Sequence, residues 1–178
     1  LLSILLLITS WIFLILSIQY RITGTNLGLL NFIKTLYCMP RIKIELPADF
    51  SFSATIPVRI TDINYGGHAG NDTILSLIHE ARVQFLTQYN YSEINCGGVG
   101  LIMSDVGIEF KNEVFYGDTI SVSVKATEFS KVTFEIYYKL EKLNDGKNIV
   151  VAVAKTGMVC FDYTNKKVAV IPKDVKEK

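Results

Sequence analysis

A chain of 178 residues that is 49% hydrophobic and 20% charged is long enough to bury the core of one ordinary domain, and it lacks the charge-rich composition of a disordered chain. Its formal net charge is +1 and it has no basic stripe to offer a phosphate footprint, which argues against nucleic acid as a partner. Its three cysteines, Cys38, Cys96 and Cys160, stand far apart with no C-x-x-C pair, and two histidines are too few to complete a zinc site, so reduced, buried thiols and no metal are expected.

Leu1 to Tyr20 carry no charge and are dominated by Leu and Ile, which meets the length and polarity test for a membrane-spanning helix. Arg21, Lys34, Arg41 and Lys43 follow it, so an anchor of this kind leaves the folded domain on the cytoplasmic side, with membrane contact through residues 1–20. A competing reading starts from Met39, where ordinary domain composition begins, and treats residues 1–38 as sequence upstream of the true start. The expected organisation is an apolar extension over 1–38 and one domain over 39–178, cytoplasmic on either reading.

Phe50 to Ile60 suits a strand. Next comes Thr61-Asp62-Ile63-Asn64-Tyr65-Gly66-Gly67-His68-Ala69-Gly70-Asn71-Asp72, which sets two carboxylates, two amides, a histidine and three glycines ahead of an apolar run. Glycines allow close approach to backbone N–H groups, and a helix N-terminus leaves several such donors unpaired, so this segment can hold an oxyanion. The plainer reading is a glycine-rich turn capped by Asn71 or Asp72. Ile74, Leu75, Leu77, Ile78, Ala81, Phe85 and Leu86 then recur at helical spacing in a wide apolar stripe, opposite Ser76, His79, Glu80 and Thr87.

After Asn95-Cys96-Gly97-Gly98 the period changes to two. Strands are predicted over 100–114, 119–129, 131–140 and 148–163, with a turn at Tyr116-Gly117-Asp118 and a hairpin turn at Asn144-Asp145-Gly146. Pro172 to Lys178 reads as a fraying charged tail. One helix that is apolar on most sides and a run of antiparallel strands predict an α+β fold, a curved sheet wrapped around a long apolar helix.

With those elements in place, Asp62 to Leu86 followed by Gly117-Asp118 resembles the hotdog-fold acyl-CoA thioesterases, in particular the 4-hydroxybenzoyl-CoA thioesterase-like group, over roughly residues 50–165. The resemblance rests on Thr61-Asp62, Gly67-His68, Asn71, Glu80-Ala81-Arg82 and Phe85-Leu86, with Phe110 to Asp118 as the end of a long strand and its turn. It implies hydrolysis of an acyl-CoA without a cofactor, coenzyme A being part of the substrate, in a homodimer or homotetramer whose sites lie between subunits. In the common Asp-x-x-Gly-His spacing the acid stands four residues before the histidine, and here that position is Asn64.

The candidate carboxylate is therefore Asp62, with Glu80 and Asp72 as alternatives, acting as general base or nucleophile. Backbone amides near Gly67 and His68 form the candidate oxyanion site, Gly66 and Gly67 are candidates for substrate contact, and Asn64 or Asn71 orients water or thioester. Asp72 and Ser104 are further candidates for substrate contact, with Phe110 and Tyr116 along the tunnel and Lys166 and Lys167 toward the nucleotide phosphates. His79 reads as a packed or surface histidine. Two rival functions remain: a hydratase or dehydratase on the same fold, which Asp62, Asn64 and His68 echo without the proline that pattern carries, and a non-catalytic acyl-CoA binder.

Overall fold

The structure is a computed structural model, and it describes residues 42–177. The apolar extension over 1–38, with both of its readings, and Cys38 lie outside the described residues. Among the described residues, no helix is long and apolar enough to cross a membrane.

Strand β1 (Phe52–Pro57) leads through a 3-10 turn (Ile60–Asp62) to helix α1 (Asn71–Thr87). Strands β2 (Gly100–Phe110), β3 (Thr119–Thr127), β4 (Thr133–Asn144), β5 (Lys147–Asp162) and β6 (Lys167–Val168) follow, and a short helix α2 (Lys173–Lys176) comes last. The sheet runs β1-β3-β4-β5-β2, with β6 paired to β5, and every pairing is antiparallel. It is the curved sheet around one main helix that the residue pattern predicts.

The period-two strands supply one wall of the core and the helical stripe the other. Ile120, Val122 and Val124 of β3 and Phe134, Ile136, Tyr138 and Leu140 of β4 are buried, as are Ile74, Leu77, Ile78, Ala81, Phe85 and Leu86 of α1. Each large apolar side chain so removed from water contributes about 1.5–3 kcal/mol. Leu75, predicted within the stripe, lies at its margin and is only half-buried.

Turn chemistry sets the register. Asn144 pairs with Lys147 across Asp145 and Gly146, whose φ values of 49° and 76° make the two-residue hairpin turn that matches strand twist. Strand β2 ends at Phe110 rather than Val114, because the amides of Lys111 and Asn112 both donate to the Val151 carbonyl, at 2.9 and 3.2 Å, and stop the ladder. The C-terminal segment is also ordered further than its charge suggests: Ile171 and Val175 are buried in the core, and Ile171 N donates to Lys131 O at 3.0 Å. Two apolar side chains spaced for a strand end and a helical turn outweigh the charges between them.

Candidate functional site

The segment between β1 and α1 is held by its own polar side chains. Asp62 is buried, and Arg59 grips it through three donors: the backbone N–H to Oδ2 at 2.7 Å, Nε to Oδ2 at 3.2 Å and Nη2 to Oδ1 at 3.1 Å. The hydrogen bond from Arg59 holds the Asp62 carboxyl below its ordinary value despite burial. Thr73 Oγ1 donates to the Asp62 carbonyl at 2.9 Å and ties this turn to the first turn of α1.

Asn64 organises the glycine loop. Its N–H donates to the His68 carbonyl at 2.9 Å, its carbonyl accepts from Gly67 N–H at 3.0 Å, and its side-chain Oδ1 accepts from Gly66 N–H at 2.7 Å. Gly67 has φ +79°, a left-handed conformation that glycine adopts without strain. The amide of Gly67, predicted with that of His68 as an oxyanion donor, is thus engaged within the loop, as is the amide of Gly66, a candidate for substrate contact. His68 Nδ1 lies 3.1 Å from the Ala69 carbonyl, the contact of a ring that donates from Nδ1. Ala69 N–H donates to Val114 O at 2.8 Å, which fastens the loop to the segment after β2.

The cap of α1 differs from the prediction. Gly70, not Asn71 or Asp72, is the N-cap, and no side chain accepts from the first-turn amides. The first amide with a helical acceptor is Ile74 N, to Gly70 O at 3.1 Å. The exposed first turn, with Asn71 and Asp72 on it, therefore presents N–H donors and the positive end of the helix dipole. The Asp72 carboxylate lies against Gly70, where a larger residue would meet it.

A polar row at one-turn spacing, Asp72, Ser76, Glu80 and Gln84, runs along the outer side of α1 with a groove on each flank. The first groove, about 390 Å³, is bounded by Thr55, Pro57, Arg59, Asp62, Ser76 and Glu80, so Asp62 and Glu80 share it. Glu80 is exposed, and one of its oxygens accepts from Gln84 Nε2 at 2.8 Å. Of the two carboxylates, Asp62 has both oxygens bonded to Arg59, whereas among the described residues only one Glu80 oxygen accepts a hydrogen bond.

The second groove, about 500 Å³, lies between α1 and β2 and includes Asp72, Leu75, His79, Arg82, Glu93 and Met103. Arg82 is 4% exposed in a helix of otherwise apolar buried residues, and its Nε donates to Glu93 Oε1 at 2.7 Å. His79 Nε2 meets the other Glu93 oxygen at 2.9 Å. Burial pushes the Glu93 carboxyl up, but the hydrogen bonds from His79 and Arg82 outweigh it and hold the group below its ordinary value. His79, read as a packed or surface residue, is exposed and belongs to this network.

Ser104 sits at an irregularity of β2 between Met103 and Asp105, where its one hydroxyl proton has two acceptors in reach, Asp105 Oδ2 at 2.8 Å and Gly157 O at 3.1 Å. It lines neither groove. Lys166 and Lys167 are exposed beside β6. Cys96 and Cys160 are buried free thiols as expected, and burial pushes Cys96 up to about 12, so neither behaves as a nucleophile. Among the described residues, no group of three or more His, Cys, Asp or Glu is placed to hold a metal ion.

Arg59 and Glu93 escaped the sequence reading. Arg82 carried the signal for Glu93: it falls on the apolar stripe between Ile78 and Phe85, and a guanidinium at a core position requires a buried acceptor. No comparable signal marked Arg59, which is drawn to Asp62 only by the tight 3-10 turn.

Residues 58–178 match the family model of the thioesterase-like superfamily. A protein of Aquifex aeolicus (strain VF5), provisionally named an esterase, is 31% identical over 100 residues, which are 55% of this chain and 73% of the relative. Among solved structures, a 1,4-dihydroxy-2-naphthoyl-CoA thioesterase from Synechocystis superposes with a TM-score of 0.62 at 23% identity, over 70% of this chain and 92% of that one. A 4-hydroxybenzoyl-CoA thioesterase variant in complex with 4-hydroxybenzoyl-CoA gives a TM-score of 0.64 at 14% identity, over 71% and 96% of the two chains. Both share the curved antiparallel sheet around one helix, the hotdog fold.

Proposed function

From the premise that the chain belongs to the thioesterase-like superfamily, we propose that it hydrolyses the thioester of an acyl-CoA to the free acid and coenzyme A, with Glu80 as general base. The observation that carries this reading is that α1 bears both a first turn without a side-chain cap and, further along, an exposed carboxylate in a groove. Solved neighbours that act on aromatic acyl-CoA esters support the substrate class.

Glu80 is preferred to Asp62 on electrostatic grounds. A base needs an oxygen free to take a proton, and Arg59 occupies both oxygens of Asp62 and lowers its basicity. In the proposed cycle Glu80 takes a proton from water as the hydroxyl adds to the thioester carbonyl. The oxygen that becomes negative is met by first-turn N–H groups of α1, which supply hydrogen bonds where charge develops. The tetrahedral adduct then expels the thiol of coenzyme A, the C–S bond breaks, and Glu80 returns its proton to sulfur.

Helix geometry adds a requirement. Asn71 and Glu80 are about 13 Å apart along α1 at 1.5 Å per residue, too far to touch one thioester. The amides and the base acting on one substrate then come from two copies of the chain, as in the dimer implied by the resemblance. The outer edge of β2 supports this: it ends the sheet and exposes Ile102, Met103 and Val106, an apolar edge that a second copy would cover.

Release of free thiol from a panel of aromatic and aliphatic acyl-CoA esters tests the proposal. Glu80→Gln is expected to lower kcat by about two orders of magnitude, typical of a lost general base, with thermal stability unchanged. Undiminished turnover in a folded Glu80→Gln protein would remove Glu80 as base, and wild-type binding of every ester without thiol release would make the chain a binder.

A further inference from the structure

A cavity of about 130 Å³, separate from both grooves, opens between the C-terminal half of α1 and the sheet. Phe85, Tyr89, Phe129 and Phe134 form its walls, and the exposed Ser51 and half-buried Lys125 stand at its rim. None of its lining residues lines either groove beside the Asp72-to-Gln84 row. Phe85 lies roughly 20 Å along the helix from Asn71.

We infer that this cavity is a binding site for a small aromatic monocarboxylate, of the size of benzoate, whose ring enters the aromatic slot and whose carboxylate pairs with Lys125. Native interiors are packed with few voids larger than a water molecule, and an apolar cavity of about 150 Å³ accommodates benzene. The cavity therefore matches one ring in size. Its walls are aromatic: Phe129 and Phe134 stack on each other at 5.2 Å with an interplanar angle of 17°, and Phe85 and Tyr89 meet edge-on at 5.6 Å and 86°, so a guest meets the outer faces and edges of these two pairs. An edge-to-face or offset-stacked guest is the arrangement that such rings favour.

Lys125 supplies the polar selectivity. Its Nζ is bound to Asp49 Oδ1 at 2.6 Å, but the Asp49 side chain is 77% exposed, and an ion pair so wetted contributes little. A ligand carboxylate held at the rim by its own buried ring exchanges for Asp49 without stranding either charge, because Asp49 returns to water. A neutral ring would keep the apolar contacts and lose this pairing.

Binding is read without turnover, by titrating benzoate, toluene and acetate into the full chain while following amide shifts by NMR and the thermal midpoint. Benzoate is expected to shift amides around 85–96 and 125–134 at millimolar concentration and to raise Tm, toluene to bind the same amides more weakly, and acetate to do neither. Lys125→Met should weaken benzoate about tenfold and leave toluene unchanged, the size of one charge-assisted hydrogen bond. Ala126→Leu, which fills the cavity, should abolish both. Absence of benzoate shifts, shifts that acetate reproduces, benzoate affinity unchanged in Lys125→Met, or binding that survives in a folded Ala126→Leu protein would each overturn the inference.

Discussion

Replacing Glu93 by alanine tests how the Arg82 charge is accommodated inside the helix–sheet core. The Arg82 side chain is 5% exposed and the Glu93 side chain 29%, so the substitution leaves a guanidinium almost without solvent and without its counter-ion. Breaking a buried pair from one side costs about 3–5 kcal/mol. The partial exposure of Glu93 lets water reach the vacated site, which places the expected loss nearer 2–3 kcal/mol. For a domain of this size that is a fall in Tm of roughly 5–10 °C. Urea unfolding followed by circular dichroism gives the free energy directly, and the double variant Glu93→Ala with Arg82→Met should recover most of it, because an apolar side chain beside Met103 needs no partner. A loss below about 0.5 kcal/mol, or a double variant no more stable than the single one, would refute a buried charge held by Glu93.

Four other outcomes follow from the same geometry. Asp62→Asn should lower Tm by a few degrees at neutral pH, and the difference from wild type should vanish in acid: the folded pKa is depressed, so its stabilisation is complete above the unfolded value near 3.9 and disappears as pH falls through the folded one. A difference that persists unchanged to pH 2 would contradict this. Gly97→Ala should destabilise by about 1–3 kcal/mol, because Gly97 has φ +66° and a Cβ there would sit 2.8 Å from Val175 Cγ2; an unchanged urea midpoint would exclude that contact. Lys substitutions at Ile102 and Val106 together should yield a monomer by sedimentation and abolish thiol release with the thermal midpoint of the monomer retained, whereas a fully active monomer would break the two-copy site. Mixing chains that lack the base with chains that lack a first-turn donor offers a complementary readout: Glu80→Gln chains mixed with Asn71→Pro chains, whose proline removes a first-turn N–H at a position a helix tolerates, should regain activity only as mixed dimers.

Much of the architecture was legible because burial has a period. Ile120, Val122 and Val124 alternate, and Ile74, Ile78, Ala81 and Phe85 recur by turns of a helix, so each element announces the face that it hides. Turn residues were equally local: Asp145 and Gly146 adopt the left-handed values that their sequence favours. The end of β2 was not legible, since it depends on the Val151 carbonyl of another strand. Nor was the burial of Ile171 and Val175, which is a property of the core that receives them.

The site divides along the same line. Sequence alone placed the glycine loop ahead of the helix, the acids around it and the polar row that includes Glu80, because each follows from spacing along one chain segment. Tertiary structure decided which of those groups remain available. Asn64 consumes the amides of Gly66 and Gly67, Arg59 occupies Asp62, and Glu93 satisfies Arg82, and in each case the partner is chosen by where folding brings a donor within hydrogen-bond reach. Glu93 meets Arg82 from another segment, whereas Asn64 and Gly66, and Arg59 and Asp62, stand two and three residues apart; in both cases the path of the folded backbone, not any periodicity in the sequence, brings donor and acceptor within the roughly 3 Å reach of a hydrogen bond.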